Sequence, residues 1–302
     1  MDMANYKVLV NPLAGNGNAM SDSEKLHEIM KDDRLEFVDM TKIDSYRTFF
    51  DSLEEGTRII IAGGDGTLNR FINDVEDYPL ENLDIYYFAA GSGNDFLHDI
   101  GGEKGDAPIS LNKYLVDLPS VTIDGVTRKF INGVGYGIDG YCCEEGDRQR
   151  LASDKPVNYT NIAIKGLLFD YKPTNATVTV DGVTKSYKKV WLAPMMNGRF
   201  YGGGMNAVPV QDRLNKERKL SVLVWSGSGK LRTLINFPKI FEGKHIYNKA
   251  CEVIQGYEIT VEFDRPVAAQ IDGETVLNVT KCIAKSYALT KKTEKATEGA
   301  QA

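Results

Sequence analysis

The sequence predicts an α/β protein: a doubly wound, parallel-sheet N-terminal domain followed by a mainly antiparallel, β-rich second half. Three observations lead there. Over the first third, β-rich runs alternate with helical stretches, the pattern of parallel strands joined by crossover helices. The unusual residues of that region fall just after the predicted strands, at 11–17, Thr41, 63–69 and 91–95, and such sheets bind ligands beyond the carboxyl ends of their strands. Beyond a Gly/Asp/Pro-containing connector at 101–119, alternating β-branched runs are joined by Asp-Gly pairs, the strongest short hairpin signal.

In chain order, 6–10 is a short strand and 21–30 a polar helix with apolar positions at Leu26, Ile29 and Met30. Residues 35–40 form a second strand, 46–53 lie within a further helix, and 59–62 and 85–90 are the next strands. The segment Arg58-Ile-Ile-Ile-Ala-Gly-Gly-Asp-Gly-Thr-Leu-Asn69 is the most telling. A β-branched run ends in glycines around one acid, and a helical apolar pattern follows (Leu68, Phe71, Ile72, Val75). Gly63, Gly64, Asp65, Gly66 and Thr67 therefore sit where a strand ends and a helix opens. Glycines there permit positive φ and let N–H groups approach a phosphate closely. Asp65 can receive a metal ion or a proton in the same place. An ordinary β–α turn uses one or two glycines; three around an acid favour a ligand site.

Two more loops follow strands. Asn11-Pro-Leu-Ala-Gly-Asn-Gly17 suits either a plain turn or a phosphate-facing loop; Met20 at the third glycine position excludes a full dinucleotide fingerprint. In Gly91-Ser-Gly-Asn-Asp95, Ser92, Asn94 and Asp95 suit contacts to a ribose, a phosphate or a neighbouring loop, while Asn94 or Asp95 also suits a helix cap before Phe96. Gly135-Tyr-Gly-Ile-Asp-Gly140 formally matches a dinucleotide motif but lacks a βαβ setting. Gly227-Ser-Gly-Lys230 reads as a strand-to-helix turn.

In the second half, Val121-Thr-Ile-Asp-Gly-Val-Thr127 and Val178-Thr-Val-Asp-Gly-Val-Thr184 echo each other as hairpins, and helices are expected near 158–169 and 230–241. Ile271-Asp-Gly-Glu274 reads by spacing as another hairpin, with Asp272 and Glu274 as candidate base or metal ligand. Residues 162–169 suit a buried core helix or an interfacial one, and 291–302 a polar tail.

The 302 residues suit two domains, and 42% hydrophobic content suffices for sizeable cores. A net charge of −6 without a basic stripe argues against nucleic acid as a partner. Cys142, Cys143, Cys251 and Cys282 lack metal or disulfide spacing, and the three histidines are scattered. With no leader and no apolar run of spanning length, a soluble, cytoplasmic protein is expected.

Taken together, these residues resemble the bacterial soluble diacylglycerol kinase family of lipid kinases. Asn11, Pro12, Leu13, Ala14 and Gly15 look like its N-P-x-S-G loop, and Gly63 to Thr67 its G-G-D-G-T signature. Gly91-Ser-Gly-Asn-Asp-Phe96 is similar to its G-T-x-N-D-F segment. Asn197-Gly-Arg-Phe-Tyr-Gly-Gly-Gly-Met205 with Pro209, Phe241-Glu-Gly-Lys-His245 and Asp272-Gly-Glu274 follow in family order. The resemblance implies an NAD kinase/phosphofructokinase-like nucleotide domain over 1–118 and a β-sandwich lipid-substrate domain over 119–280, with 281–302 rejoining the first. It implies Mg²⁺-dependent transfer of the ATP γ-phosphoryl group to a lipid hydroxyl, most simply diacylglycerol. It also implies ATP contacts from Thr41, Leu68 and Asn69 besides the loops named, Glu274 as general base aided by Asp272, and transient contact with a membrane surface. A homodimer is left open.

Departures from the family pattern are specific. Ala14 replaces a serine, Ser92 a threonine, and Arg70 stands where glutamate is usual. The acidic stretch that holds a structural magnesium is reduced to Lys216-Glu-Arg-Lys-Leu-Ser221, with Glu217 the one acid in register. Two alternatives follow: an NAD kinase-like enzyme sharing the Gly-Gly-Asp-Gly turn, or a catalytically weakened nucleotide- or lipid-binding regulator.

Overall fold

The computed structural model describes residues 3–12, 14, 17–75, 78–91, 93–153 and 157–288. The chain divides into two compact units, 1–118 and 119–302.

The first unit is built on strands β1 (Asn5–Val10), β2 (Arg34–Asp39), β3 (Arg58–Gly63), β4 (Ile85–Ala89) and β5 (Ile109–Ser110), in the order β2-β1-β3-β4-β5. The first four pair in parallel and β5 is an antiparallel edge. Ile59, Ile60, Ile61 and Ala62 of β3 are fully buried, as expected of a central strand covered on both faces. The connecting helices are α1 (Ala19–Ser23), α2 (Leu26–Ile29), α3 (Tyr46–Asp51), α4 (Asp65–Asp74), α5 (Asp95–Asp99) and α6 (Asn112–Leu115). The single helix predicted over 21–30 is instead the pair α1 and α2. Ser23 turns its hydroxyl back onto the Ala19 carbonyl at 2.6 Å, a bond that competes with regular helix.

Winding reverses between β1 and β3, the topological switch point where open α/β sheets bind ligands. Val10 lies beside Ala62, and Gly63 beside Ala89. The chain therefore leaves β1, β3 and β4 at one rim.

The second unit comprises β6 (Ser120–Ile123), β7 (Val126–Lys129), β8 (Gly133–Tyr136), α7 (Ile138–Ala152) and α8 (Tyr159–Lys165), which runs into a π-helical turn at Gly166–Asp170. Strands β9 (Thr174–Val180), β10 (Val183–Leu192), β11 (Met195–Met196), β12 (Phe200–Tyr201), β13 (Met205–Asn206) and β14 (Leu220–Ser226) follow, then α9 (Lys230–Asn236), β15 (Cys251–Gly256), β16 (Glu258–Ile271) and β17 (Glu274–Lys285). β9 pairs with both β10 and β16, so the main antiparallel sheet folds back on itself. β16 makes this possible by changing partners: 259–263 pair with β9 and 269–271 with β8. Val134, Tyr136, Val178, Val222, Val261 and Ile271 fill the space between the layers, a β-sandwich core.

The three Asp-Gly pairs read as hairpins all form turns with both residues at positive φ: Asp124 50° and Gly125 80°, Asp181 48° and Gly182 83°, Asp272 47° and Gly273 97°. This is the primed geometry that matches strand twist. The two echoing hairpins share a cross-strand threonine pair, Thr122–Thr127 at 2.8 Å and Thr179–Thr184 at 2.9 Å.

One helix escapes the sequence reading and one expectation is corrected. α7, the longest helix among the described residues, has no apolar stripe to announce it; its buried positions are Ile138, Asp139, Gly140 and Gly146. Close approach fixes it instead, since a Cβ on Gly140 would collide with the Ala268 carbonyl of β16. Residues 281–285 do not rejoin the first domain. They end β17, paired with β16 and β6, because Cys282 and Ala284 alternate into the sandwich core while Lys281, Ile283 and Lys285 lie on the more open face. The expected tail at 291–302 lies outside the described residues.

Candidate active site

The glycine turns after β3 and β4 are fastened together by Asp65. Its N–H donates to the Gly93 carbonyl at 2.9 Å. Its carboxylate accepts the N–H groups of Asp95 at 2.7 Å and Phe96 at 3.0 Å. Asp65 thus does for α5 what a cap residue does, but from another loop. Asn94, at the N-cap position, makes no side-chain cap bond and donates instead to the Gly91 carbonyl at 3.2 Å. Asp95 contributes its backbone and is buried. The Tyr87 hydroxyl donates to the Gly63 carbonyl at 3.0 Å, and burial raises the pKa of this phenol, with Asp65 adding to the effect.

The glycines are needed here for contact and not for positive φ, which corrects the sequence reading. Gly64 has φ −111°, Gly63 is within β3 and Gly66 within α4. A Cβ on Gly64 would lie 2.6 Å from the Gly93 carbonyl, and one on Gly91 would lie 2.5 Å from the Gly64 nitrogen. The two turns can touch only because neither carries a side chain there.

Of the other nucleotide candidates, Thr67, Leu68 and Asn69 lie in the first turns of α4, all buried. Leu68, fully buried, is a core side chain, so a direct side-chain contact to a ligand is excluded for it. Asn11 leaves β1 at the same rim and accepts the Ala14 N–H at 3.0 Å; Pro12 stands between them in the turn. Leu13, Gly15 and Ser92 lie outside the described residues. Thr41 follows β2 in a short 3-10 turn, where its N–H and hydroxyl both donate to Asp39. Arg70 is engaged by Asp74 one helical turn on, at 3.1 Å. A cavity of ≈ 710 Å³ lies at that end of β2, lined among others by Asp39, Lys42, Ser45 and Thr48 but by none of the glycine-turn residues.

Sequence reasoning missed Lys104. Its ammonium reaches the Gly91 carbonyl at 3.3 Å and Asp22 at 3.1 Å, which places a cation on the glycine turns. Lys25 and Lys104 together hold the Asp22 carboxyl below its usual range. No local pattern marks a lysine in the 101–119 connector as part of this rim.

In the second unit, Asp272 is buried and accepts three backbone N–H groups: Ile131 at 2.7 Å, Asn132 at 2.8 Å and Gly133 at 2.9 Å. Arg213 and Asn197 bind the same loop through the Ile131 carbonyl. A carboxylate so engaged holds the hairpin in place. Glu274, two residues on, is exposed. It has no ion-pair or hydrogen-bond partner among the described residues, while neighbouring Thr275 is tied to Asp147 at 2.6 Å.

Glu217, the candidate metal ligand, is exposed and already paired. The Lys219 ammonium occupies its carboxylate at 2.8 Å and lowers its pKa. Flanked by Lys216, Arg218 and Lys219, it does not suit a divalent ion, and the described residues contain no cluster of three potential ligands.

Asp139, in the first turn of α7, was not singled out by sequence. It is buried, and its Oδ2 has no hydrogen-bond partner. Burial pushes its pKa up to about 7, opposed by the Tyr201 hydroxyl beside it.

Comparison with known proteins bears on both units. The family described as "Diacylglycerol kinase catalytic domain" matches residues 5–126, and "YegS C-terminal NAD kinase beta sandwich-like domain" matches 132–285, half of the chain. The chain belongs to the bacterial diacylglycerol kinase family of lipid kinases. A diacylglycerol kinase of Mycobacterium tuberculosis (strain ATCC 25618 / H37Rv) is 24% identical over 256 residues, 81% of each chain. YtlR of Bacillus subtilis (strain 168) is 22% identical over 237 residues, 72% of this chain and 74% of its own. Two solved structures from Bacillus anthracis str. Sterne share the fold over 95% of this chain. One covers 93% of its own length, with TM-score 0.66 and 18% identity. The other, of a diacylglycerol kinase, covers 94%, with TM-score 0.57 and 17% identity. No helix among the described residues is long and apolar enough to cross a membrane.

Proposed function

We propose that this lipid kinase transfers the γ-phosphoryl group of ATP to the hydroxyl of diacylglycerol or a related lipid. The observation that carries this reading is the pair of glycine turns fastened by Asp65 at the carboxyl ends of neighbouring parallel strands. α4, ten residues long, opens there with the positive end of its dipole and its first-turn amides. In this reading, the loop after β1 (Asn11, Ala14) and the turn from Gly63 to Thr67 face the phosphates, and Lys104 adds positive charge. Phosphoryl transfer depends mainly on such positioning and neutralisation.

Asp65, an acid beside the phosphate-facing turns, is the residue that would hold Mg²⁺ or its bound water. When bound, Mg²⁺ would neutralise phosphate charge; such ions are held by one or two carboxylates plus the nucleotide. Glu274 takes the proton of the attacking hydroxyl as the new O–P bond forms and the bond to ADP breaks. Its exposure and freedom from partners support that role.

The test is a screen of extracted lipids with γ-labelled ATP, run beside NAD and diacylglycerol. Label in a lipid is expected. Label in NAD alone would replace the lipid by a dinucleotide, and calorimetric ATP binding without any transfer would leave a regulator.

A further inference from the structure

The segment from Lys230 to Ala250 departs from the rest of the chain in charge. It holds Lys230, Arg232, Lys239, Lys244 and Lys249 against Glu242 alone, net +4 in a chain of net −6. All five bases are exposed. Between them four large apolar side chains stand in solvent: Leu231 67%, Ile235 65%, Phe241 48% and Tyr247 84% exposed. Unpaired apolar side chains interleaved with bases are costly on a solvated surface and favourable against an anionic apolar one.

The segment is held firmly. Thr233, Ile240 and His245 are buried, the His245 imidazole lies 2.8 Å from the Ala207 carbonyl and stacks on Trp225. On α9, Leu231 and Ile235 are one turn apart and share a face. Thr233 points the opposite way into the core, and Lys230 and Arg232 flank the apolar pair. Lys230 also donates to the Leu168 carbonyl at 3.0 Å, which brings Phe169, 69% exposed, next to α9. Residues 162–169 are accordingly divided: Ile162 and Leu167 are core, while Ile164 and Phe169 are exposed.

We infer that α9 and the two short helical turns after it, Phe237–Ile240 and Lys244–Tyr247, form a docking surface for an anionic lipid bilayer. Leu231, Ile235 and Phe169 enter the headgroup boundary while Lys230 and Arg232 snorkel to lipid phosphates. The occupant is a bilayer because the bases are spread among apolar tips and not gathered into a pocket that one anion would fill. The inference deepens the lipid-kinase reading, since a substrate with acyl chains is met at such a surface. Its test needs no turnover, so the two fail separately.

The wild-type chain is sedimented, without nucleotide, with vesicles of phosphatidylcholine alone or with about one third phosphatidylglycerol. Association with the anionic vesicles only, weakened by salt, is expected. The variants Lys230→Glu/Arg232→Glu and Leu231→Ser/Ile235→Ser should each reduce that association at least about tenfold, given about fivefold per base near a charged surface. Both alter exposed positions and should keep the wild-type circular dichroism and thermal midpoint. Variants that sediment like wild type would overturn the inference. So would a wild type that ignores both vesicles or binds both equally, or one whose mass in light scattering doubles through this face.

Discussion

The fastened turns around Asp65 and the hairpin at Asp272 apply one device in two different folds. Each buries a carboxylate and gives it backbone N–H groups from a distant loop, two at Asp65 and three at Asp272. They differ in what they leave open. The first leaves a helix N-terminus and bare glycine backbone, suited to an anion; the second leaves the exposed carboxylate of Glu274, suited to a proton. Asp139 marks the contrast from the other side, as a buried acid with one oxygen that meets no donor. The most conspicuous motif acids therefore brace the loops.

Substitutions can break or sharpen that contrast. The largest effect is expected for Glu274→Gln: labelled phosphate transfer falls about 10²–10⁴-fold, with the urea midpoint unchanged because the side chain has no partner to lose. Wild-type transfer in that variant would remove Glu274 as the base. Asp65→Asn should combine both kinds of loss. One oxygen becomes an NH₂ facing an N–H donor, costing about 1–2 kcal/mol as for a lost cap, and turnover falls to near background; persistence of transfer near the wild-type rate would show the brace is dispensable.

Asp272→Ala leaves three buried N–H groups unpaired and should cost about 3 kcal/mol or more in urea unfolding. An unchanged midpoint would mean the loop at 131–133 is held by Arg213 and Asn197 alone. Gly64→Ala pushes a methyl onto the Gly93 carbonyl and should cost about 1–3 kcal/mol by overpacking; tolerance of the methyl would show that the two turns can part.

A different kind of effect, in the pH profile, concerns Asp139. Its folded pKa of about 7 lies above the model-peptide value of 3.8, so the folded state keeps a proton that the unfolded state has released between those values. Stability from this group is complete below the lower value and declines as pH rises toward the upper one, by at most about 1.4 kcal/mol per pH unit. Asp139→Asn should flatten that part of the urea-midpoint profile. Parallel profiles for the two proteins would show that Asp139 titrates as an ordinary exposed acid.

Much of this architecture is legible residue by residue. The β-branched run before Gly63 and the aromatic run before Gly91 declare strands, and Asp124-Gly125, Asp181-Gly182 and Asp272-Gly273 declare primed turns, because these signals act within a few residues. α7 is not legible, since its packing rests on Gly140 meeting a strand more than a hundred residues away. Lys104 and Arg213 are silent for the same reason: a single basic residue in a connector says nothing of the carbonyl it will reach.

Local chemistry alone determined the strand ends, the turn types and the placing of glycines and acids at one rim of the first unit. Tertiary structure decided what each acid does. Two carboxylates that look alike in a motif become a buried brace or an exposed side chain according to how many distant amides converge on them, and no short-range pattern encodes that number. It also decided that residues 281–285 complete the sandwich, because period-two burial of Cys282 and Ala284 has meaning only once β16 and β6 stand on either side.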